Sequence, residues 1–165
     1  MVEELMTSYG RSVYGLCLKL AKTPFEADDL YQETFICAMR KKIRPDGNVK
    51  ALLMKICINT YKSSMQKKVR RNKIAPTEPL DGNDFVSSKD NTEDAIEGKE
   101  MRQAVRDAVS TLDDKYKIPI LLYYTSELSC QEIADTLSLP EGTVKSRIHR
   151  GKNMIKTRLE AMGYE

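Results

Sequence analysis

The 165-residue chain has no tryptophan and a single histidine, and only 7% of it is aromatic. The one histidine, His149, lies close to Arg147 and Arg150, so it cannot anchor a catalytic triad or a histidine metal cluster. The four cysteines, Cys17, Cys37, Cys57 and Cys130, are widely spread with no C-x-x-C pair, which argues against a zinc site. Each has apolar neighbours and reads as a small buried hydrophobe. Neither glycine-rich phosphate motif occurs. Long apolar runs are also missing. The start, MVEELMTSYG, is acidic and unlike a signal peptide, and IPILLYY is too short to cross a bilayer. These absences lead to the expectation of a cytoplasmic protein that is not an enzyme, with no catalytic residue, cofactor or metal.

What is present is charge, unevenly placed. Residues 1–71 hold 14 basic and 7 acidic side chains, residues 72–99 hold 3 and 7, and residues 100–165 hold 10 of each. Arg40–Arg71 alone has eleven basic residues against one acid, Asp46. Two cationic surfaces separated by an acidic spacer have nucleic acid as their simplest partner.

The first part reads as helical. Tyr14, Leu16, Cys17, Leu18, Leu20 and Ala21 begin an apolar helix that Thr23-Pro24 stops. A second opens near Pro24–Glu26 and ends in basic residues, as the helix dipole favours. Leu30, Phe35, Ile36, Ala38 and Met39 can supply its buried side. Pro45-Asp46-Gly47-Asn48 is a turn signal. A third helix then puts Val49, Leu52, Leu53, Ile56 and Thr60 on one face. Lys55, Asn59, Lys62 and Gln66 recur beside that face at i, i+4, i+7 and i+11. This polar stripe suits a groove or a ligand's edge, and equally an ordinary solvated face.

Residues 72–98 combine two prolines, two glycines and many short polar residues, the composition of a flexible linker. The last part is again helical. Met101, Val105, Ala108, Val109 and Leu112 make one amphipathic pattern. Thr111 with Asp114 resembles a starting cap, and Pro119 should kink the next helix or reset its start. Ser129-Cys-Gln-Glu132 is a capping box before IADTL, whose Ile133, Ala134 and Leu137 should face inward. The turn SLPE leads to a helix over Glu141–Lys156. At about 100° per residue, Val144, Ile148, Ile155 and Leu159 fall on one side of it. Lys145, Ser146, His149, Arg150 and Asn153 fall on the other. Six Lys or Arg and no acid lie between Glu141 and Glu160. A short helix, a tight turn and a longer cationic helix form the helix-turn-helix pattern that reads a major groove.

These words are specific. SCQEIADTLSLPEGTVKSRIHRGKNMIKTRL closely resembles region 4.2 of the extracytoplasmic-function sigma factors. Upstream, EADDLYQETF (Glu26–Phe35) and KICINT (Lys55–Thr60) resemble their region 2, in the family's order. The resemblance implies an all-α chain of two small helical domains joined by a flexible linker. Region 2 would span residues 1–71, the linker 72–98 and region 4 residues 99–165. It also implies the partners: RNA polymerase core, promoter DNA and a cognate anti-sigma factor, often membrane-anchored.

By the same resemblance, Thr143, Lys145, Ser146, Arg147, His149 and Arg150 would bind the −35 element, with Arg147 at the edge of the face. Asp46, Asn48, Lys55, Asn59 and Lys62 would meet the −10 element, the loop Ile43–Val49 cradling a flipped base. Asp29, Gln32, Glu33 and Phe35 would bind polymerase core. Acids on a half of net charge +7 fit a protein partner better than DNA. Some residues depart from the family pattern. Leu52 stands where many members have Trp, Ser138 where Gly is common in the turn, and Pro140 where Ser usually caps the helix. A stand-alone LuxR-like helix-turn-helix regulator shares the EIA-x-x-L and TVK words but lacks the DDLYQETF helix. An adaptor that holds an acidic protein is a third reading.

Overall fold

The computed structural model describes residues 2–44, 46–74 and 96–164. Its described residues are helical throughout their regular structure and form two compact units, one with three helices and one with four.

In the first unit, α1 (Val2–Leu20), α2 (Pro24–Arg40) and α3 (Val49–Ile74) pack pairwise on one another. The first helix begins well before Tyr14, because its N-terminal turns pack too: Gly10 lies against Tyr31 of α2, where a Cβ would come within 2.8 Å of the Tyr31 hydroxyl. Between α1 and α2 the chain turns as Thr23-Pro24 predicts. The Thr23 hydroxyl accepts from the Glu26 amide at 3.2 Å, Pro24 occupies the first turn, and the Glu26 carboxylate reaches back to the Lys22 amide at 3.1 Å. Glu26 also pairs with Lys68, which ties the start of α2 to the far half of α3. The core is built from Val13, Leu16, Leu30, Leu53, Met54 and Ile58. Cys17 and Cys57 meet inside it with their sulfurs 3.7 Å apart. The Cys17 thiol is pushed up by its hydrogen bond with Cys57 and by burial, so it stays protonated and serves as core filling.

In the second unit, α5 (Asp114–Tyr124), α6 (Cys130–Leu137) and α4 (Ile96–Ser110) all pack on α7 (Glu141–Ala161). Tyr116, Ile120, Leu122, Ile133, Val144 and Ile148 fill the space between them. Two expected starts differ. Asp113, not Thr111, precedes α5, while the Thr111 hydroxyl donates back to the Ala108 carbonyl at 2.7 Å and closes α4. Helix α5 also runs through Pro119, whose ring is buried, so the proline neither resets its start nor ends it. The capping residue of α6 behaves as expected: the Ser129 hydroxyl accepts from the Glu132 amide at 3.1 Å. Ile133 and Ala134 are buried and Leu137 half-buried.

Helix α3 continues past residue 71 to Ile74, and α4 starts at Ile96. Most of the expected linker lies outside the described residues. Among the described residues no helix is long and apolar enough to cross a membrane.

Candidate nucleic-acid interface

The turn between α6 and α7 sets the site in the second unit. Ser138 ends α6 in the left-handed region, at φ 55° and ψ 47°, and its amide donates to the Ala134 carbonyl. A side chain in that region carries strain that glycine would not. Pro140 then starts α7 with no side-chain cap, and its carbonyl accepts from the Thr143 amide at 3.0 Å. The chain leaves this corner with Val144, Ile148 and Gly151 turned inward.

The opposite side of α7 is open. Lys145, Ser146, His149, Arg150 and Asn153 are all exposed. Lys145 is paired with Glu141 at 3.2 Å, an exposed i,i+4 bridge that a stronger anion can displace. Asn153 reaches His149 Nε2 at 3.4 Å, so the two present one polar surface. Arg147 and Thr143 are half-buried on one flank. There they meet the start of α5 in a groove of about 360 Å³, lined by Lys115, Tyr116, Thr143, Ser146, Arg147 and Arg150.

Gly151 holds this arrangement together, and the sequence reading passed over it. A Cβ on Gly151 would stand 2.3 Å from Ile120 Cδ1 and 3.4 Å from Tyr116 Cβ. With no Cβ here, α5 crosses α7 without displacing the Ile120 methyl. The available signal was its position: it extends the inward stripe Val144, Ile148, Ile155 at i+3 from Ile148.

In the first unit, Leu52 leaves the apolar face assigned to it. It is 38% exposed and shares a side of α3 with Lys55, Asn59, Lys62 and Gln66. Lys55 is half-buried, while Asn59, Lys62 and Gln66 are exposed. The loop before α3 hangs between two buried anchors, Ile43 and Val49. Asp46 is exposed at its tip, and Gly47 adopts φ 118°, which an L side chain rarely takes. Asn48 is exposed too, but its side-chain oxygen accepts from the Ala51 amide at 3.1 Å and so caps α3.

Helix α2 requires a larger correction. Asp29, Gln32 and Glu33 are exposed, as a binding face requires. Phe35 is only 3% exposed and lies against Tyr31 with ring centroids 4.9 Å apart, so it cannot touch a partner. Its neighbours do the reverse. Ile36 and Met39, assigned to the core from periodicity, are 39% and 55% exposed, and Phe25 is 79% exposed. Positions 25, 29, 32, 36 and 39 follow i, i+4, i+7, i+11 and i+14, one stripe along the helix. An apolar stripe carrying an acid and an amide is the composition of a protein-binding face rather than a DNA-binding one.

The two units match two family models in order: Sigma-70 region 2 over residues 5–71, and Sigma-70, region 4 over residues 102–155. Together they define a sigma-70 class of transcription factor. The sigma factor SigW of Bacillus subtilis is 32% identical over 163 residues, covering 94% of this chain and 87% of SigW. SigE of Mycolicibacterium smegmatis is 29% identical over 157 residues, 93% of this chain and 60% of SigE. Both are extracytoplasmic-function RNA polymerase sigma factors. The fold is also that of the sigma factor RpoE from Bartonella quintana, solved with the anti-sigma factor NepR, at a TM-score of 0.80 and 21% identity over 96% of both chains. The chain belongs to the extracytoplasmic-function RNA polymerase sigma factors.

Proposed function

We propose that the chain binds RNA polymerase core and directs it to promoters, reading the −35 element with α7 and the −10 element with α3 and the loop before it. One observation supports this above the others. A single chain carries an exposed cationic face on α7 and, on a separate unit, a polar stripe on α3 and an exposed, largely apolar stripe on α2 that suits a protein partner. A stand-alone regulator has use for the first and none for the last.

The −35 contacts are Thr143, Lys145, Ser146, Arg147, His149 and Arg150. Side chains at the centre of the open face, Ser146 and His149, are suited to base edges, and those on the flank to phosphates. The −10 contacts are Asp46, Lys55, Asn59 and Lys62, joined by Leu52. With no indole at that position, a melted base would lie against an aliphatic surface. Asn48 joins them from the loop, its oxygen capping α3. Core binding belongs to Asp29, Gln32 and Glu33 with Ile36 and Met39, and Phe35 supports that face from beneath. The two functional regions are taken as residues 1–71 and 99–165, joined by 72–98.

Control by an anti-sigma factor follows from the same faces. A cationic helix and an exposed apolar stripe would be left open in the free protein, and a protein that covers either one silences the factor. The Bartonella relative is solved with such a partner.

Transcription reconstituted from purified core, this chain and a genomic promoter library tests the reading. Discrete, promoter-specific transcripts are expected with core alone. Tight duplex binding with no transcript would instead favour the LuxR-like regulator.

A further inference from the structure

Lys115 lies twenty-eight positions before Thr143 in the sequence. It lies in the first turn of α5 and has no part in the helix-turn-helix, yet it lines the same groove as Thr143, Ser146, Arg147 and Arg150. The helix crossing explains this. With α5 laid across α7 at Gly151, its start emerges beside the flank that carries Arg147, while its end reaches Lys152, whose ammonium lies 5.8 Å from the Tyr124 ring centroid.

The chemistry of the groove is one-sided. Three cations and three hydroxyl-bearing side chains line it, and no acid does. Two acids close by in sequence have cations of their own: Glu141 pairs with Lys145, and Asp114 lies 3.9 Å from the Lys117 ammonium. Lys115 rests with its ammonium 4.9 Å from the Tyr116 ring centroid, a contact that costs little to leave. Guanidinium, ammonium and hydroxyl donors converging beside a major-groove helix are the set that holds phosphate oxygens.

We propose that this groove grips one backbone phosphate of the duplex that α7 enters, and that Lys115 is the ligand supplied from outside the helix-turn-helix. The inference rests on the reading of α7 as the −35 helix. Lys115 fixes register on the duplex and carries no sequence information. The groove also explains why Arg147 is half-buried: it belongs to the phosphate clamp rather than to the base-reading face.

The test uses holoenzyme, a promoter found by transcript-start mapping and a duplex with its −35 element scrambled. Binding is measured between 50 and about 200 mM salt for the native protein, Lys115→Gln and Lys115→Arg. Lys115→Gln should lower affinity for both duplexes by the same factor and shrink the log–log salt slope by about 0.9, so the gap from native widens about 3.5-fold at the lower salt. Lys115→Arg should restore both. Unchanged affinity and slope for Lys115→Gln, with the native protein still selective, would overturn the inference. So would a loss confined to the promoter duplex, which would make Lys115 a base reader. Protection of the α5 and α7 amides by pyrophosphate in the native chain but not in Lys115→Gln would assign the groove to a free anion, and an undiminished salt slope with weaker core binding would assign it to an acidic protein segment. Native holoenzyme that prefers neither duplex removes the reading of α7 itself, and the inference with it.

Discussion

Replacing Gly151 by alanine sets two effects of similar size against each other. Alanine is favoured over glycine within a helix by about 1 kcal/mol. Its Cβ, however, would stand 2.3 Å from Ile120 Cδ1, with Ile120 Cγ1 and Tyr116 Cβ both at 3.4 Å behind it. Ile120 is itself buried, so its methyl has little room to retreat. Overpacking of this kind costs about 1–3 kcal/mol, which leaves Gly151→Ala destabilising by about 0–2 kcal/mol net. A double-mutant cycle separates the terms. Ile120→Val deletes the clashing methyl and should cost about 0.5–1.5 kcal/mol alone. If the clash governs, the double variant returns to within about 0.5 kcal/mol of the native protein, because alanine's helix preference is then released. If the two sites are independent, the losses add. Native-state hydrogen exchange of the α7 amides in the full chain reads each value locally, without requiring both units to unfold together. Stabilisation by Gly151→Ala alone, with no coupling to Ile120, would refute the close-crossing argument, and with it the reason Lys115 reaches Arg147.

Other expectations follow from single contacts. Ser138→Gly should stabilise the second unit by about 0.5–1 kcal/mol by relieving the left-handed conformation, less the entropy glycine adds to the unfolded chain; no rise in amide protection of α6 would count against it. Phe35→Ala should cost about 3–5 kcal/mol of first-unit stability, whereas Met39→Lys should leave stability near native and abolish holoenzyme assembly on a sizing column. Core binding by Met39→Lys would show that the exposed stripe is not the polymerase face. Burial alone would raise the Glu26 carboxyl, but Lys68 and the Lys22 amide outweigh it and hold it below its ordinary 4.5. A lowered carboxylate stabilises above its unfolded value, so first-unit stability should fall as pH drops from about 5 through the lower folded value. Glu26→Gln should flatten that part of a urea-midpoint titration; an unchanged slope would mean the pair with Lys68 contributes nothing.

The helix-turn-helix was the most legible part, because its signals are local. The Ser129 cap and the apolar side of α7 each depend on neighbours a turn away. Helix α2 was legible only in part. Its apolar residues 30, 35, 36, 38 and 39 wrap too much of the helix for periodicity to say which edge is covered: Phe35 is buried as its spacing predicts, against the binding role the resemblance implied, while Ile36 and Met39 are left open. The third helix failed in the same way at Leu52, an apolar residue that the fold leaves beside a polar stripe. Asn48 was read as a ligand-facing amide before its capping bond could be known.

By itself, the sequence determined the class of protein: the number and order of helices, the two cationic surfaces, and the words that mark regions 2 and 4. These follow from spacing and side-chain type, which act over a few residues. Only the tertiary structure decided which apolar edge of α2 stays open, what residue 151 packs against, and that Lys115 lines one groove with Arg147. Each of these depends on where a second helix lies, and a helix crossing brings together residues whose separation along the chain carries no signal of their contact.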